Sequence, residues 1–189
     1  VIDLEQVVAV ANQHGAITLV DSTFATPINQ QPLALGIDYV MHSVTKYMGG
    51  HHDLIAGAIA ADSRKIRQLK AMRILLGGVL DPQTAFLIER GLRTLALRMQ
   101  QHNSNALAVA RFLHEQPGIA RVHYPGLPDH PDHDLASRQM SGCGGVVSFQ
   151  VDGDLQMANR LIDALQIPQI AVSLGGIESL IGSPAIMAY

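Results

Sequence analysis

The chain has 189 residues, of which 48% are hydrophobic and 15% are charged, so it can bury a core and does not have a disordered composition. Its net charge of −3 and the lack of a basic run argue against nucleic acid as a partner. The single cysteine, Cys143, excludes an internal disulfide, so we expect a reducing compartment such as the cytoplasm, where Cys143 acts as a small buried hydrophobe.

The first half of the sequence alternates predicted helices and strands. The helical patterns lie in LEQVVAVANQHG, which closes at Gly15, in PINQQPLALG, and in SRKIRQLKAMRILLGG. The strand patterns are the short apolar runs in AITLVDST, DYVMHSVTKY and DLIAGAIAAD. Continuous apolar runs are typical of strands buried on both faces of a parallel sheet. The first half therefore predicts an α/β fold with a mostly parallel sheet.

A long helical pattern over residues 81–118 separates this half from a second unit. Pro82 suits the first helical position, and Gly91 predicts a close packing point or a break. Beyond it, IARVHYPG, GGVVSFQVDG and IAVSLGG predict strands, and DLASRQM and DLQMANRLIDALQIP predict helices. We expect a smaller α+β unit here, with the boundary inside the long helix near residues 93–103.

Polar side chains follow two of the predicted strands where each strand ends. Asp21 ends the run AITLV, and Ser43, Thr45 and Lys46 follow the run DYVMH. In parallel sheets, ligands bind beyond the carboxyl ends of the strands. A carboxylate, two hydroxyls and an amine in one crevice match the needs of pyridoxal phosphate: a lysine bonds to its aldehyde, a carboxylate keeps its ring nitrogen protonated, and hydroxyls hold its phosphate.

The same residues carry a resemblance to a known family. The segment VDSTFATPINQQPLALGIDYVMHSVTKYMGGHHDLIAG resembles the core signature of the Cys/Met-metabolism family of pyridoxal-phosphate enzymes, which has the aspartate-aminotransferase fold type. The likeness continues through RGLRTLALRMQQHN, VHYPGLPDHP, QMSGCGGVVSFQVDGDL and SLGGIESLIGSPAIM. It implies that residues 1–97 form the C-terminal part of the cofactor-binding large domain. Residues 98–189 then form an incomplete small α+β domain.

The resemblance implies a role for each cofactor residue. Lys46 matches the lysine that bonds to the cofactor and shuttles protons once the substrate displaces it. Asp21 matches the carboxylate paired with the ring nitrogen, and Ser43 and Thr45 match the hydroxyls that contact the phosphate. Thr23 is expected to lie against the cofactor ring.

Two further residues are expected on the substrate side. Ser173 in SLGG matches the loop that approaches the substrate carboxylate, and Glu178 in GGIESL matches a substrate-pocket glutamate associated with γ-carbon chemistry. A serine in a glycine turn and a glutamate that opens a helix are alternative, purely structural interpretations. Ser22 departs from the family pattern, which has DNT where this chain has DST.

The activity implied by the resemblance is a γ-replacement. The segments ILLGGVLDPQTAFLIERGLRTL, VSFQVDGDL and PAIMAY most resemble the branch that joins an O-activated homoserine to cysteine to give cystathionine. A γ-lyase that splits cystathionine or methionine, and a non-catalytic fragment of the same fold, stay open as alternatives. The resemblance also implies a homotetramer built from dimers. No membrane partner is expected, because no apolar run approaches the roughly 20 residues of a membrane span.

The chain is expected to be part of a longer protein. It begins at Val1 without a methionine and stops at Tyr189 without a capping signal. We therefore expect other family site residues, including a ring-stacking aromatic and an arginine that binds the substrate carboxylate, outside this sequence.

Histidines near the candidate lysine raise the question of a metal site. His51, His52 and Asp53 are consecutive, and adjacent residues on an extended chain point to opposite faces, so they are poorly placed to share an ion. We expect a loop with local hydrogen bonds instead. A solvated loop is likewise favoured for three further residues, His123, His130 and His133. No metal is predicted.

Overall fold

The computed structural model describes residues 1–187, so the last two residues of PAIMAY lie outside the described part. The described helices are α1 Leu4–His14, α2 Thr26–Asn29, α3 Ser63–Leu76, α4 Pro82–Leu92, α5 Leu95–His114, α6 His133–Gln139, α7 Leu155–Ala164 and α8 Pro184–Met187, with a 3-10 helix at Pro32–Leu35. The described strands are β1 Leu19–Asp21, β2 Tyr39–Ser43, β3 Gly57–Ala61, β4 Ile119–His123, β5 Ser148–Val151, β6 Gln169–Ile170 and β7 Leu180–Ile181. Among the described residues, no helix is both long enough and apolar enough to cross a bilayer.

The first sheet has the order β1-β2-β3 and is mixed. β1 and β2 are parallel, with Asp21 opposite Met41, whereas β2 and β3 are antiparallel, with Ser43 opposite Gly57. The predicted parallel arrangement therefore holds for β1 and β2, and it is wrong for β3. The physical reason lies in the connections: a helical crossover joins parallel strands, but residues 44–56 return as turns without a helix.

The sheet is covered on one side by α1. Leu4, Ile37 and Val40 form a buried cluster, against which Val8 and Val20 pack. α1 begins at the N-cap Asp3, whose carboxylate accepts from the Gln6 N–H, and it ends at Gly15 in the left-handed conformation, as predicted.

The Asp38 carboxylate links the residues that directly precede β1 and β2. Asp38 accepts hydrogen bonds from the Thr18 N–H at 2.8 Å, from the Thr18 hydroxyl at 2.9 Å and from Lys65 Nζ at 2.5 Å. The hydrogen bond from Lys65 is the largest cause that lowers the pKa of Asp38, from 3.8 to about 2, and the bonds from Thr18 act in the same direction.

The second half contains the antiparallel pair β4–β5 and a short parallel pair, β6–β7. Phe149 and Val151 are half-buried between exposed neighbours, as the alternation in VVSFQV predicts. The buried residues packed between α5 and the β4–β5 pair are Ala106, Ala110, Val122, Tyr124 and Leu127. Cys143 packs against them, and burial raises the pKa of its thiol, in keeping with its predicted role as a small apolar residue.

The long predicted helix is interrupted at residues 93 and 94. Gly91, two residues earlier, packs so tightly that a Cβ there would overlap the carbonyl oxygens of Met48 and Gly49. The predicted close packing point and the predicted break both occur. α5 crosses residues 97 and 98 without interruption, and the division into domains at that point stays a prediction.

We expect Gly91→Ala to lower the free energy of unfolding by about 1–3 kcal/mol, because the new methyl group meets backbone atoms that no side-chain rotation can move. Chemical denaturation of the complete protein measures the change. Gly78→Ala is the control, since a Cβ at that position has no neighbour within 4 Å. Equal stability of the two variants would contradict the prediction.

We expect the stability contributed by Asp38 to be present above its ordinary pKa of 3.8 and to be lost as the pH falls toward about 2, because its folded pKa lies below the unfolded one. The difference in unfolding free energy between the parent and Asp38→Asn should therefore narrow over that interval. Urea titrations at a series of pH values measure it. Gln156→Ala, at an exposed position of α7, removes no titratable group and should show no such narrowing.

Candidate active site

Two of the predicted residues end adjacent parallel strands, and a third joins them. Asp21 is the last residue of β1, and Ser43 is the last residue of β2. The Thr23 hydroxyl donates to Asp21 Oδ1 at 2.5 Å and accepts the Ser43 N–H at 2.7 Å. The Thr23 N–H also donates to the same carboxylate oxygen at 3.0 Å. Thr23 thus fixes the Asp21 carboxylate relative to the end of β2, a bridging role that its position in the sequence did not reveal.

Lys46 lies in the turn that follows β2. The Lys46 N–H donates to the Ser43 carbonyl at 3.1 Å, and the Lys46 carbonyl accepts from the Gly50 N–H at 2.8 Å. The next residue, Tyr47, is 2% exposed, and its hydroxyl accepts the Gly145 N–H at 3.2 Å. Burial raises the pKa of Tyr47. A deeply buried aromatic residue therefore anchors the turn directly beside the lysine.

The guanidinium of Arg98 holds the same turn from α5. It donates to the Tyr47 carbonyl at 2.6 Å and to the Gly91 carbonyl at 2.8 Å. The second of these carbonyls belongs to the C-terminal end of α4, where backbone acceptors lack helical partners. One side chain therefore ties the α4–α5 break to the lysine turn.

The hydroxyl groups on either side of Val44 differ in their surroundings. The Thr45 hydroxyl accepts from the Ala56 N–H at 3.0 Å and donates to the Ala56 carbonyl at 3.3 Å, so it fastens the connection between β2 and β3. The Ser43 hydroxyl makes no hydrogen bond within residues 1–187. Ser43 is therefore the freer of the two to bind an external phosphate, and the phosphate role of both residues stays a prediction.

Ser173 and Glu178 come close to the lysine, although they are more than 120 residues away in sequence. Lys46 Nζ donates to Ser173 Oγ at 3.3 Å. Ser173 Oγ lies 3.5 Å from His52 Nδ1, and His52 Nε2 lies 3.5 Å from Glu178 Oε2. The fold thus brings three predicted residues together through a histidine. Glu178 does not open a helix in this structure.

The two consecutive histidines have different roles. His51 Nδ1 lies 2.9 Å from the Gly49 carbonyl oxygen, which is the local hydrogen bond expected of it. The same expectation is wrong for His52, because its left-handed backbone, with φ 56°, turns the ring toward Ser173. The local sequence does not distinguish the two rings, because the partners of His52 become its neighbours only when the chain folds.

Two glycines allow the loop of residues 173–176 to lie directly on the lysine turn. A Cβ at Gly175 would overlap the Tyr47 N, and a Cβ at Gly176 would overlap the His52 ring. The φ of Gly175 is also 84°, in the left-handed region that favours glycine. The two glycines of the motif SLGG therefore allow the Ser173 hydroxyl to reach Lys46.

The loop histidines distant from the lysine form hydrogen bonds with backbone groups nearby in sequence. His133 Nδ1 lies 2.9 Å from the Pro125 carbonyl, and His130 Nδ1 accepts from the Asp132 N–H at 3.1 Å. Within the described part of the chain, no group of three or more metal-ligating side chains comes together.

The residues present fit pyridoxal phosphate. Within residues 1–187 neither the Lys46 amine nor the Asp21 carboxylate forms an ion pair, so the amine could bond to an aldehyde and the carboxylate could pair with a protonated ring nitrogen. Near the C-terminal ends of β1 and β2 lie two buried polar atoms, Ser22 Oγ and His42 Nδ1, that have no hydrogen-bond partner among the described residues. Burial lowers the pKa of His42, and the negative charge of Asp21 opposes that shift. Buried polar atoms of this kind need a further polar partner.

The chain belongs to the family of Cys/Met metabolism PLP-dependent enzymes, because the model of that family matches residues 1–189. The predicted family and fold type are thereby confirmed, and pyridoxal phosphate is the cofactor of that family.

The most similar curated relatives include synthases and lyases. The chain is 49% identical over 188 residues to cystathionine γ-synthase 1, chloroplastic, of Arabidopsis thaliana, which covers 100% of this chain and 33% of that protein. It is 45% identical over 190 residues to cystathionine β-lyase of Lactococcus lactis subsp. cremoris, with 100% and 50% covered.

Solved structures agree with this assignment. Cystathionine γ-synthase from Xanthomonas oryzae pv. oryzae, in complex with aminoacrylate and cysteine, matches with a TM-score of 0.96 at 43% identity over 99% of this chain and 49% of that one. CalE6, a methionine γ-lyase from Micromonospora echinospora, matches with a TM-score of 0.94 at 41% identity over 99% and 51%. The chain thus spans about half of the length of these relatives, and 33% of the plant synthase.

We expect Thr23→Val to raise the dissociation constant of pyridoxal phosphate in the complete protein by about tenfold, because it leaves the Ser43 N–H and the Asp21 carboxylate without their shared partner. Equilibrium titration followed by absorbance measures the constant. Thr84→Val is a matched control, since the Thr84 hydroxyl also donates to an aspartate, Asp81, but on an exposed helix end. Equal affinities of the two variants would contradict the bridging role.

Proposed function

We propose that the protein containing this chain catalyses γ-replacement on an O-activated homoserine, with cysteine as the incoming thiol and cystathionine as the product. The observation that carries the proposal is the contact of Lys46 Nζ with Ser173 Oγ, which sets a reactive amine beside a substrate-side loop. The 49% identity to a plant cystathionine γ-synthase supports the choice of substrates.

Five residues of this chain would hold the cofactor. Asp21 would bind its ring nitrogen, Ser43 and Thr45 would bind its phosphate, and Lys46 would attach to its aldehyde. Thr23 would lie under the ring and keep the Asp21 carboxylate in place through the 2.5 Å hydrogen bond. When bound, pyridoxal phosphate supplies an electron sink for the charge left after proton removal from the substrate.

Lys46 would also move the protons. Once the substrate amino group has displaced it, Nζ would remove the proton at the α-carbon and then one at the β-carbon, which allows the γ-substituent to leave. Ser173 would keep Nζ near these carbons and approach the substrate carboxylate. Glu178 would face the distal part of the substrate chain, where the thiol of cysteine adds.

A γ-lyase reaction is the second candidate. The solved structures that resemble the chain include a methionine γ-lyase, and the curated relatives include a cystathionine γ-lyase of Macaca fascicularis at 44% identity. The two reactions share the steps assigned to Lys46 and differ in what completes them. The cysteine dependence of the product distinguishes them.

We further propose a homotetramer, built as a dimer of dimers, and a cytoplasmic location. The high apolar content and the many exposed large hydrophobic side chains, such as Leu75 and Ile74 on α3, support association. The lone cysteine supports a reducing compartment. One curated relative is chloroplastic.

The test is product analysis of the complete protein with an activated homoserine, with and without cysteine. We expect cystathionine when cysteine is present, and a loss of at least about a hundredfold in Lys46→Ala, because both proton transfers depend on Nζ. Borohydride reduction followed by peptide mapping should find the cofactor on Lys46.

Lys70→Ala, which alters an exposed lysine on α3, is the control and should retain activity. Dominant 2-oxobutanoate even with cysteine present would replace the synthase proposal by a lyase. Full activity of Lys46→Ala would refute both candidates.

A further inference from the structure

We propose that His52 is a positioning residue that orients Ser173 and Glu178 toward the substrate at Lys46. The inference rests on the proposed function, because it concerns the binding of the same amino-acid substrate. The His52 ring lies between the two residues, with Nδ1 3.5 Å from Ser173 Oγ and Nε2 3.5 Å from Glu178 Oε2.

The position of the ring is imposed by the surrounding structure. His52 has φ 56°, a conformation that is uncommon for a residue with a side chain. The backbone of Gly176 lies against the ring so closely that a Cβ there would overlap Nε2. Residues in such conformations persist where their neighbours over-determine them, and this occurs often at functional sites.

The hydrogen bonds that join Lys46, Ser173 and His52 form a series in which each donor faces an acceptor. Lys46 Nζ donates to Ser173 Oγ, so the single hydroxyl hydrogen of Ser173 is free to point at His52 Nδ1. In that arrangement the ring hydrogen sits on Nε2, and Nε2 lies 3.5 Å from Glu178 Oε2. The Ser173 hydroxyl then has one defined direction, and the His52 ring lies between that hydroxyl and the Glu178 carboxylate.

The series needs an acceptor at Nδ1, because Ser173 Oγ already accepts from Lys46 and has one hydrogen left to donate. The charged groups that face His52 are Glu178 directly and Lys46 through Ser173, and its sequence neighbours His51 and Asp53 are exposed. Substrate binding should therefore depend on the imidazole and not only on the volume of the ring.

The test measures binding as well as turnover in the complete, cofactor-loaded protein. L-Norvaline carries a methyl group in place of the homoserine hydroxyl and has no leaving group, so its dissociation constant reports positioning without reaction. We expect His52→Gly, which removes the ring without straining the left-handed backbone, to raise that constant about tenfold. The KM for activated homoserine should rise in parallel, with a smaller change in kcat.

His52→Asn is the rescue variant. Asparagine tolerates the left-handed conformation, and its amide can take the place of Nδ1 opposite Ser173, so we expect affinity within about threefold of the parent. His114→Asn is the matched control, because His114 at the exposed end of α5 also faces a carboxylate, that of Asp129 at 3.7 Å. It should bind L-norvaline as the parent does.

A double-mutant comparison provides a second measurement. If His52 acts through Ser173 and Glu178, His52→Gly in a background that carries both Ser173→Ala and Glu178→Gln should weaken L-norvaline binding by less than about twofold. Parent-like binding by His52→Gly, or no improvement from His52→Asn, overturns the inference. If cystathionine is not formed by the parent but the binding pattern holds, only the proposed reaction fails, so the two proposals are tested separately.

Discussion

The arrangement of the site depends on hydrogen bonds that the Arg98 guanidinium donates to backbone carbonyls of two separate segments. Its guanidinium donates at 2.6 Å to Tyr47 and at 2.8 Å to Gly91, so it connects the lysine turn to the end of α4. Charge-assisted hydrogen bonds of this kind are among the stronger ones in proteins. Since Lys46 precedes Tyr47 directly, these hydrogen bonds fix the backbone beside Lys46 relative to α4 and α5.

Two separate sets of polar residues lie next to this turn. On one side, the Thr23 hydroxyl joins the Asp21 carboxylate to the end of β2. On the other side, the loop of residues 173–176 lies against the turn and brings Ser173 to Lys46. The residues predicted to bind the cofactor and those predicted to approach the substrate are thus supplied by distant parts of the chain. A reaction that needs both a bound cofactor and an oriented substrate benefits when both sets are held in place.

Much of the fold follows from local patterns. The apolar runs predicted β1, β2 and β3, Gly15 ended α1 as expected, and Pro82 and Gly91 marked the start and the tight packing of α4. The direction of β3 could not be predicted in this way, because an apolar run reads the same in either direction. Its antiparallel course follows from the path of residues 44–56, whose turns depend on contacts such as the exchange between Thr45 and Ala56.

The sequence by itself determined the family, the cofactor, the positions of Asp21 and Ser43 at strand ends and that of Lys46 shortly after the second strand, because these features are carried by short contiguous motifs. Only the tertiary structure decided that His52, rather than His51, lies between Ser173 and Glu178. Adjacent identical side chains carry the same chemistry, and what separates them is a single backbone angle, the φ of 56° at His52. The ring that results lies against Gly176, more than 120 residues away, a contact that no local pattern encodes.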